Sequence, residues 1–217
     1  MNKIDILSAA EQYVRELLSG EGSGHDWWHI LRVWNNAKLI ARHESVDAFT
    51  VELAALLHDI GDHKFHDGDE EIGPRMAQEW MQRHAVPEEI ILHVCSIIKD
   101  LSYKGAGTSS AMATLEGQVV QDADRLDAIG AIGIARTFAY GGHKNREIYN
   151  PDIAPVMHNS FDAYKSNTAP TLNHFYEKLL LLKDRMHTQT AKELAAQRHQ
   201  YMEQFLEQFY DEWNGKR

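Results

Sequence analysis

The chain has 217 residues, 43% hydrophobic and 25% charged, enough for one globular domain with a sizeable core. Its formal net charge of −10 excludes a general binder of nucleic-acid polymers or anionic membranes, either of which needs a basic face. A single cysteine, Cys95, excludes an intrachain disulfide and fits a reducing compartment.

Met1 to Leu18 carries charges every few residues and has no apolar core of the signal-peptide kind. No run approaches the ~18 apolar residues of a membrane span. A cytoplasmic protein with no membrane partner is therefore expected. Apolar residues at helical spacing from Ile4 to Leu18 predict a first helix over 3–19, followed by a glycine-rich turn at 20–24. His25-Asp26-Trp27-Trp28-His29 opens a second helix to about His43. Asp47 is the expected N-cap of a third, ending at His58. Residues 61–69 read as a polar loop dense in ionisable groups.

A fourth helix is expected over about 70–84, and a fifth from Pro87 as first residue to about Leu101. Cys95 there reads as packing, with no thiol chemistry implied. Residues 102–113 read as a loop, and Leu115 to Tyr140 as one helix. Gly130 and Gly133 within it each cost about 1 kcal/mol relative to alanine, which implies close helix approach. Residues 141–170 have weak periodicity, with Gly141-Gly142 as a hinge. Two helices, about 171–187 and 190–213, close the chain. The Leu194, Arg198, Tyr201, Phe205, Phe209 stripe reads as core packing. Without strand alternation or an internal repeat, the fold class is all-α.

The chemistry gathers around Ala54 to Asp62 (Ala-Ala-Leu-Leu-His-Asp-Ile-Gly-Asp). Four apolar residues read as the last turns of a buried helix, then His58 and Asp59 stand side by side, and Gly61 breaks the helix. Burying such a pair costs several kcal/mol unless the groups are paired or coordinate a cation. Of the chain's three His-Asp pairs only this one follows an apolar helical run. Two other helices offer partners: His29 near the start of the second, and Asp124 within Gln121-Asp122-Ala123-Asp124-Arg125-Leu126-Asp127. Asp124 borders the buried stripe, with Asp122 and Arg125 on more exposed faces. A salt bridge to Arg125 or Arg136 is the alternative for Asp124.

The order His29, His58-Asp59, Asp124 in an Ala-Asp-Arg-Leu context resembles the HD-domain superfamily of metal-dependent phosphohydrolases. It is most similar to the small, stand-alone, all-helical bacterial members. The resemblance implies one HD-type helical domain over 1–217, with a motif core at about 25–140 and the C-terminal helices of about 171–213 packed on it. It implies metal ligation by His29, His58, Asp59 and Asp124. Two imidazoles and two carboxylates suit one Mn²⁺, Fe²⁺, Co²⁺, Ni²⁺ or Zn²⁺ ion, and Mg²⁺ less well. Asp62, four residues beyond His58, is the candidate catalytic acid or base. Arg32, Lys104 and Lys178 are the candidate phosphate-binding cations, Arg32 sharing a helix face with His29.

The expected activity is hydrolysis of a phosphomonoester or pyrophosphate bond in a small molecule, most simply a nucleotide. Two alternatives stay open: a catalytically silent nucleotide-binding regulatory domain, and a dinuclear phosphodiesterase or oxygenase recruiting His63 and His66. His93 reads as a satisfied core histidine. The C-terminal third is expected to fold over the metal cleft, or else only to complete the core.

Overall fold

Helix α1 (Lys3–Leu17) starts with a reciprocal cap, the Asn2 side chain accepting from Asp5 N and Asp5 accepting from Asn2 N. It buries Ile6, Ala10 and Val14. The computed structural model describes residues 2–20, 26–61, 71–101, 112–157 and 169–216, and among them the chain is helical with no strand.

Helix α2 (Trp27–Ala41) is capped by Asp26 and buries Trp27, His29, Ile30, Val33, Ala37 and Ile40. Helix α3 (Ala48–Leu57) is capped by Asp47, as expected, and its last residue precedes His58. The Asp47 carboxylate accepts from Thr50 N at 3.1 Å and Thr50 Oγ1 at 2.6 Å. Burial pushes this carboxyl up, but the bonds from Thr50 and Lys3 outweigh it and hold it below the usual range. Eight of the ten residues of α3 are buried, including every one from Leu53 to Leu57. A helix apolar on all sides must be surrounded, and α1, α2 and α5 (Glu88–Leu101) pack around this one.

Helix α4 (Ile72–Arg83) pairs with α5. Between them Ala85 takes φ +53°, Val86 N donates to Met81 O, and Ala85 N to Gln82 O, a left-handed C-terminal turn. Pro87 sits one place earlier than expected: its carbonyl accepts from Ile90 N and Ile91 N, which makes it the residue before α5. Cys95 is half-buried and donates to Pro74 O at 3.4 Å; burial, then Glu88, push its thiol up, as an unreactive thiol requires.

The single helix expected over 115–140 is two. Helix α6 (Leu115–Asp127) stops, Ala128 and Ile129 leave helical geometry, and α7 (Gly130–His143) begins with Gly130 at φ +75°. Arginines take the carbonyls freed at the end of α6: Arg198 donates to Leu126 O, and Arg136 to Asp127 O and, at 2.6 Å, Asp127 Oδ2. A Cβ on Gly130 would stand 3.0 Å from Arg198 Cβ and Cγ, so close approach explains this glycine as expected. Gly133 instead lies against the carbonyl of Ala128 in its own preceding turn.

The described chain gathers into two compact units, one running through α5 and on to Asp124, the other from Arg125 onward. In the second unit α7 packs on the long helix α9 (Gln189–Trp213). The helix expected over 171–187 is instead a short α8 (Asn173–Glu177) and a 3₁₀ helix (Leu179–Arg185), separated by a sharp turn at Lys178. Gly141 and Gly142 form no hinge. Both lie in the last turns of α7, where Gly141 packs against Thr171, and the chain leaves the helix at Asn145, φ +52°. The buried line of α9 is Ala191, Ala195, Met202 and Leu206, while Tyr201 faces solvent. Phe205 and Phe209 pack among other rings, Phe138, Phe175, Tyr149 and Trp213.

Candidate metal centre

Each of the four expected donors is held by the structure of its own helix. His29 lies in the first turn of α2, where its backbone N–H is the one capped by Asp26 Oδ1 at 2.9 Å. His58 and Asp59 follow the last residue of the buried helix α3. Asp124 is presented by α6, and Asn36, seven residues after His29 on α2, donates to Ala123 O at 3.2 Å beside it. Gly61 is needed for approach rather than for a left-handed turn: a Cβ there would lie 2.8 Å from Gly73 N and Cα.

The donors converge. His29 Nε2 stands 3.5 Å from Asp59 Oδ2 and 3.5 Å from Asp124 Oδ1, and His58 Nε2 3.6 Å from Asp59 Oδ2. His29, His58 and Asp59 offer ligand atoms all within 4.8 Å of one another, and Asp124 reaches this group through His29. These separations are long for hydrogen bonds. They are close to the ~3.0–3.4 Å between two donors that each lie about 2.1 Å from a shared ion.

His58 carries the strongest signal. Its Nδ1 lies 2.9 Å from Ala55 O. A carbonyl can only accept, so Nδ1 holds the hydrogen, and in the neutral ring Nε2 presents a lone pair. That Nε2 is buried and, among the described residues, has no hydrogen-bond partner. An orphaned buried acceptor is costly, and a cation between it, His29 and the carboxylates would satisfy it. The residues present therefore fit a divalent ion bound by nitrogen and oxygen.

Asp124 is part-exposed (38% of its side chain) and Asp122 wholly buried, the reverse of the sequence expectation. Residue 122 falls on the same side of α6 as Val119 and Leu126, so the helix turns it into the core. The alternative partner Arg136 is bonded to Asp127 instead. Arg32 lies on α2, three residues beyond His29. Lys178 lies in the second unit, in the turn after α8, and its charge acts on His174. Asp62 and Lys104 lie outside the described residues, as do His63 and His66, on which a dinuclear site would depend. His93 is satisfied by Thr114 Oγ1 at 2.8 Å, and His84 by Trp80 O at 2.8 Å. Reading from the sequence missed Asp26, Asn36 and the Ala55 carbonyl as supports. The first two were within reach, an Asp directly before an apolar helix being an N-cap signature and a seven-residue spacing placing Asn36 below His29.

The HD domain family matches residues 27–129. The YpgQ protein of Bacillus subtilis is 40% identical over 206 aligned residues, 93% of this chain and 92% of the relative. An HD-superfamily hydrolase from Bacillus thuringiensis superposes with a TM-score of 0.79 at 45% identity, covering 98% of this chain and 99% of its own. The structure of B. subtilis YpgQ in complex with ADP superposes with a TM-score of 0.78 at 34% identity over the superposition, covering 98% and 97%.

Proposed function

The chain belongs to the HD-domain family and has the fold of its hydrolases, and on that premise we propose that it is a divalent-metal-dependent phosphohydrolase whose substrate is a nucleotide. The observation that carries the reading is the buried Nε2 of His58, without a hydrogen-bond partner among the described residues, grouped with His29 and Asp59. Without a cation that buried acceptor would stay unmet, at a cost of about 1–3 kcal/mol.

His29, His58, Asp59 and Asp124 would hold the ion, with Mn²⁺, Fe²⁺, Co²⁺, Ni²⁺ or Zn²⁺ matching the mixed donors better than Mg²⁺. When bound, the ion supplies Lewis acidity toward phosphoryl oxygen and lowers the pKa of water. Arg32 supplies positive charge beside His29 for the substrate's phosphate. Asp62, four residues past His58 in the sequence, would take the proton of the attacking water. Lys178 keeps its assignment to phosphate on the family resemblance, and Lys104 on its place in the loop expected over 102–113. The nucleotide is favoured by the ADP bound to B. subtilis YpgQ. The single Cys95 accords with work on the cytoplasmic nucleotide pool; among the described residues no helix is long and apolar enough to cross a membrane.

The test is release of phosphate or pyrophosphate from nucleoside mono-, di- and triphosphates with Mn²⁺, Co²⁺ and Mg²⁺ compared. Activity with at least one nucleotide, lost together with bound metal in His58→Ala and Asp59→Ala, is expected. Activity that persists in metal-free variants would place the chemistry elsewhere.

A further inference from the structure

Two adjacent tryptophans open α2, and their surroundings are opposite. Trp27 is 5% exposed and belongs to the core, whereas Trp28 is 58% exposed. Among the described residues no ring stacks on the Trp28 indole and no group accepts its N–H. Tryptophan is on average one of the most buried residues, because leaving its large ring in water forfeits the free energy of burying it. Folding of the described chain thus gives no reason for an indole at 28, while it gives a clear one at 27.

The position of Trp28 on the helix supplies a reason. At 3.6 residues per turn, Arg32 lies about 40° around the axis from Trp28 and about 60° from His29, between the two. Side chains on a helix lean toward its N-terminus, so Arg32 reaches back over the turn that carries both. The helix surface therefore presents, in order, a flat unoccupied aromatic ring, a guanidinium, and the imidazole of the candidate metal centre. A nucleotide has the same order: a flat aromatic base at one end, then phosphates.

We propose that Trp28 is the surface on which the base of the substrate stacks, so that the site selects base-bearing phosphates over bare pyrophosphate. The inference rests on the phosphohydrolase reading above and names what that site recognises beyond phosphate. Stacking of a base on an aromatic side chain tolerates every base, because each has a π-face, so discrimination among bases is expected to be shallow.

The test is equilibrium binding, read by calorimetry on Mn²⁺-loaded protein, of ADP and of inorganic pyrophosphate. Wild type, Trp28→Ala and Trp28→Phe are compared. Loss of one stacked base is expected to weaken ADP binding by about tenfold or more in Trp28→Ala. Pyrophosphate binding stays within about twofold, and Trp28→Phe restores most of the ADP affinity. Because the ring is mostly in solvent, the variant keeps its helical content and melting temperature. Equal weakening of both ligands, or of neither, overturns the role of Trp28 while leaving the phosphohydrolase reading intact. If wild type binds neither ligand, that reading falls, and the assignment of Trp28 falls with it.

Discussion

Replacing Asp59 by asparagine keeps the size of the side chain and removes its charge, which separates the two things this carboxylate can do. Without a cation, Asp59 and Asp124 each place an oxygen 3.5 Å from one nitrogen, so the two oxygens are at most twice that apart. Two negative charges at ~7 Å repel by about 0.6 kcal/mol in water and about 2.4 kcal/mol at an effective dielectric of 20. Asp59→Asn relieves that repulsion, so the metal-free variant should melt at or slightly above the metal-free wild type. With an ion at a hundred times its dissociation constant, wild type gains about 2.7 kcal/mol. For a chain of this size that is a rise of roughly 5–10 °C in melting temperature. The assay is thermal unfolding followed by circular dichroism, after chelation and again with excess Mn²⁺. Wild type should shift and Asp59→Asn should not. An undiminished shift in the variant removes Asp59 from the ligand set. A metal-free variant that melts several degrees below wild type would make the carboxylate a structural partner instead.

Three further outcomes follow from the described contacts. Gly61→Ala brings a Cβ to 2.8 Å from the Gly73 backbone and should cost about 1–3 kcal/mol in urea unfolding; unchanged stability would mean that the two turns can part freely. Burial, then Lys178 and Arg146, push the His174 imidazole down to about 3 from an ordinary 6.5, so between those values the unfolded chain binds the extra proton. Stability should therefore be insensitive to this group above about pH 6.5 and fall by up to ~1.4 kcal/mol per unit below it, a slope that His174→Gln should reduce, as urea midpoints at pH 7, 6 and 5 would record. Ala85, exposed at φ +53°, carries a strain that glycine does not, so Ala85→Gly should stabilise by about 0.5–1 kcal/mol, and a lower urea midpoint would contradict the left-handed turn.

Much of the candidate site was legible because its parts are local. The apolar run into His58-Asp59 foretold a buried helix leading into that pair, and α3, which ends at Leu57, is that helix. Asp47 was readable as its cap because an N-cap is a matter of one residue and the N–H two or three places on. His29 and Asp124 were named from their order along the chain and the family resemblance, and the structure brings them to 3.5 Å of each other, with Asp59 at the same distance from His29.

Helical periodicity and caps, being interactions within a few residues, by themselves determined the all-α class and most helix starts. Everything set by contacts distant in sequence was decided by the tertiary structure alone. The apolar stripe runs unbroken through residues 128–130, and it takes Arg136 and Arg198, reaching Asp127 and Leu126, to receive the carbonyls where α6 ends. Asp122 and Asp124 differ by two residues and look alike in sequence, yet one is sealed in the core and the other faces His29. A helical wheel shows which residues share a side, but only the neighbouring helices decide which side is inside.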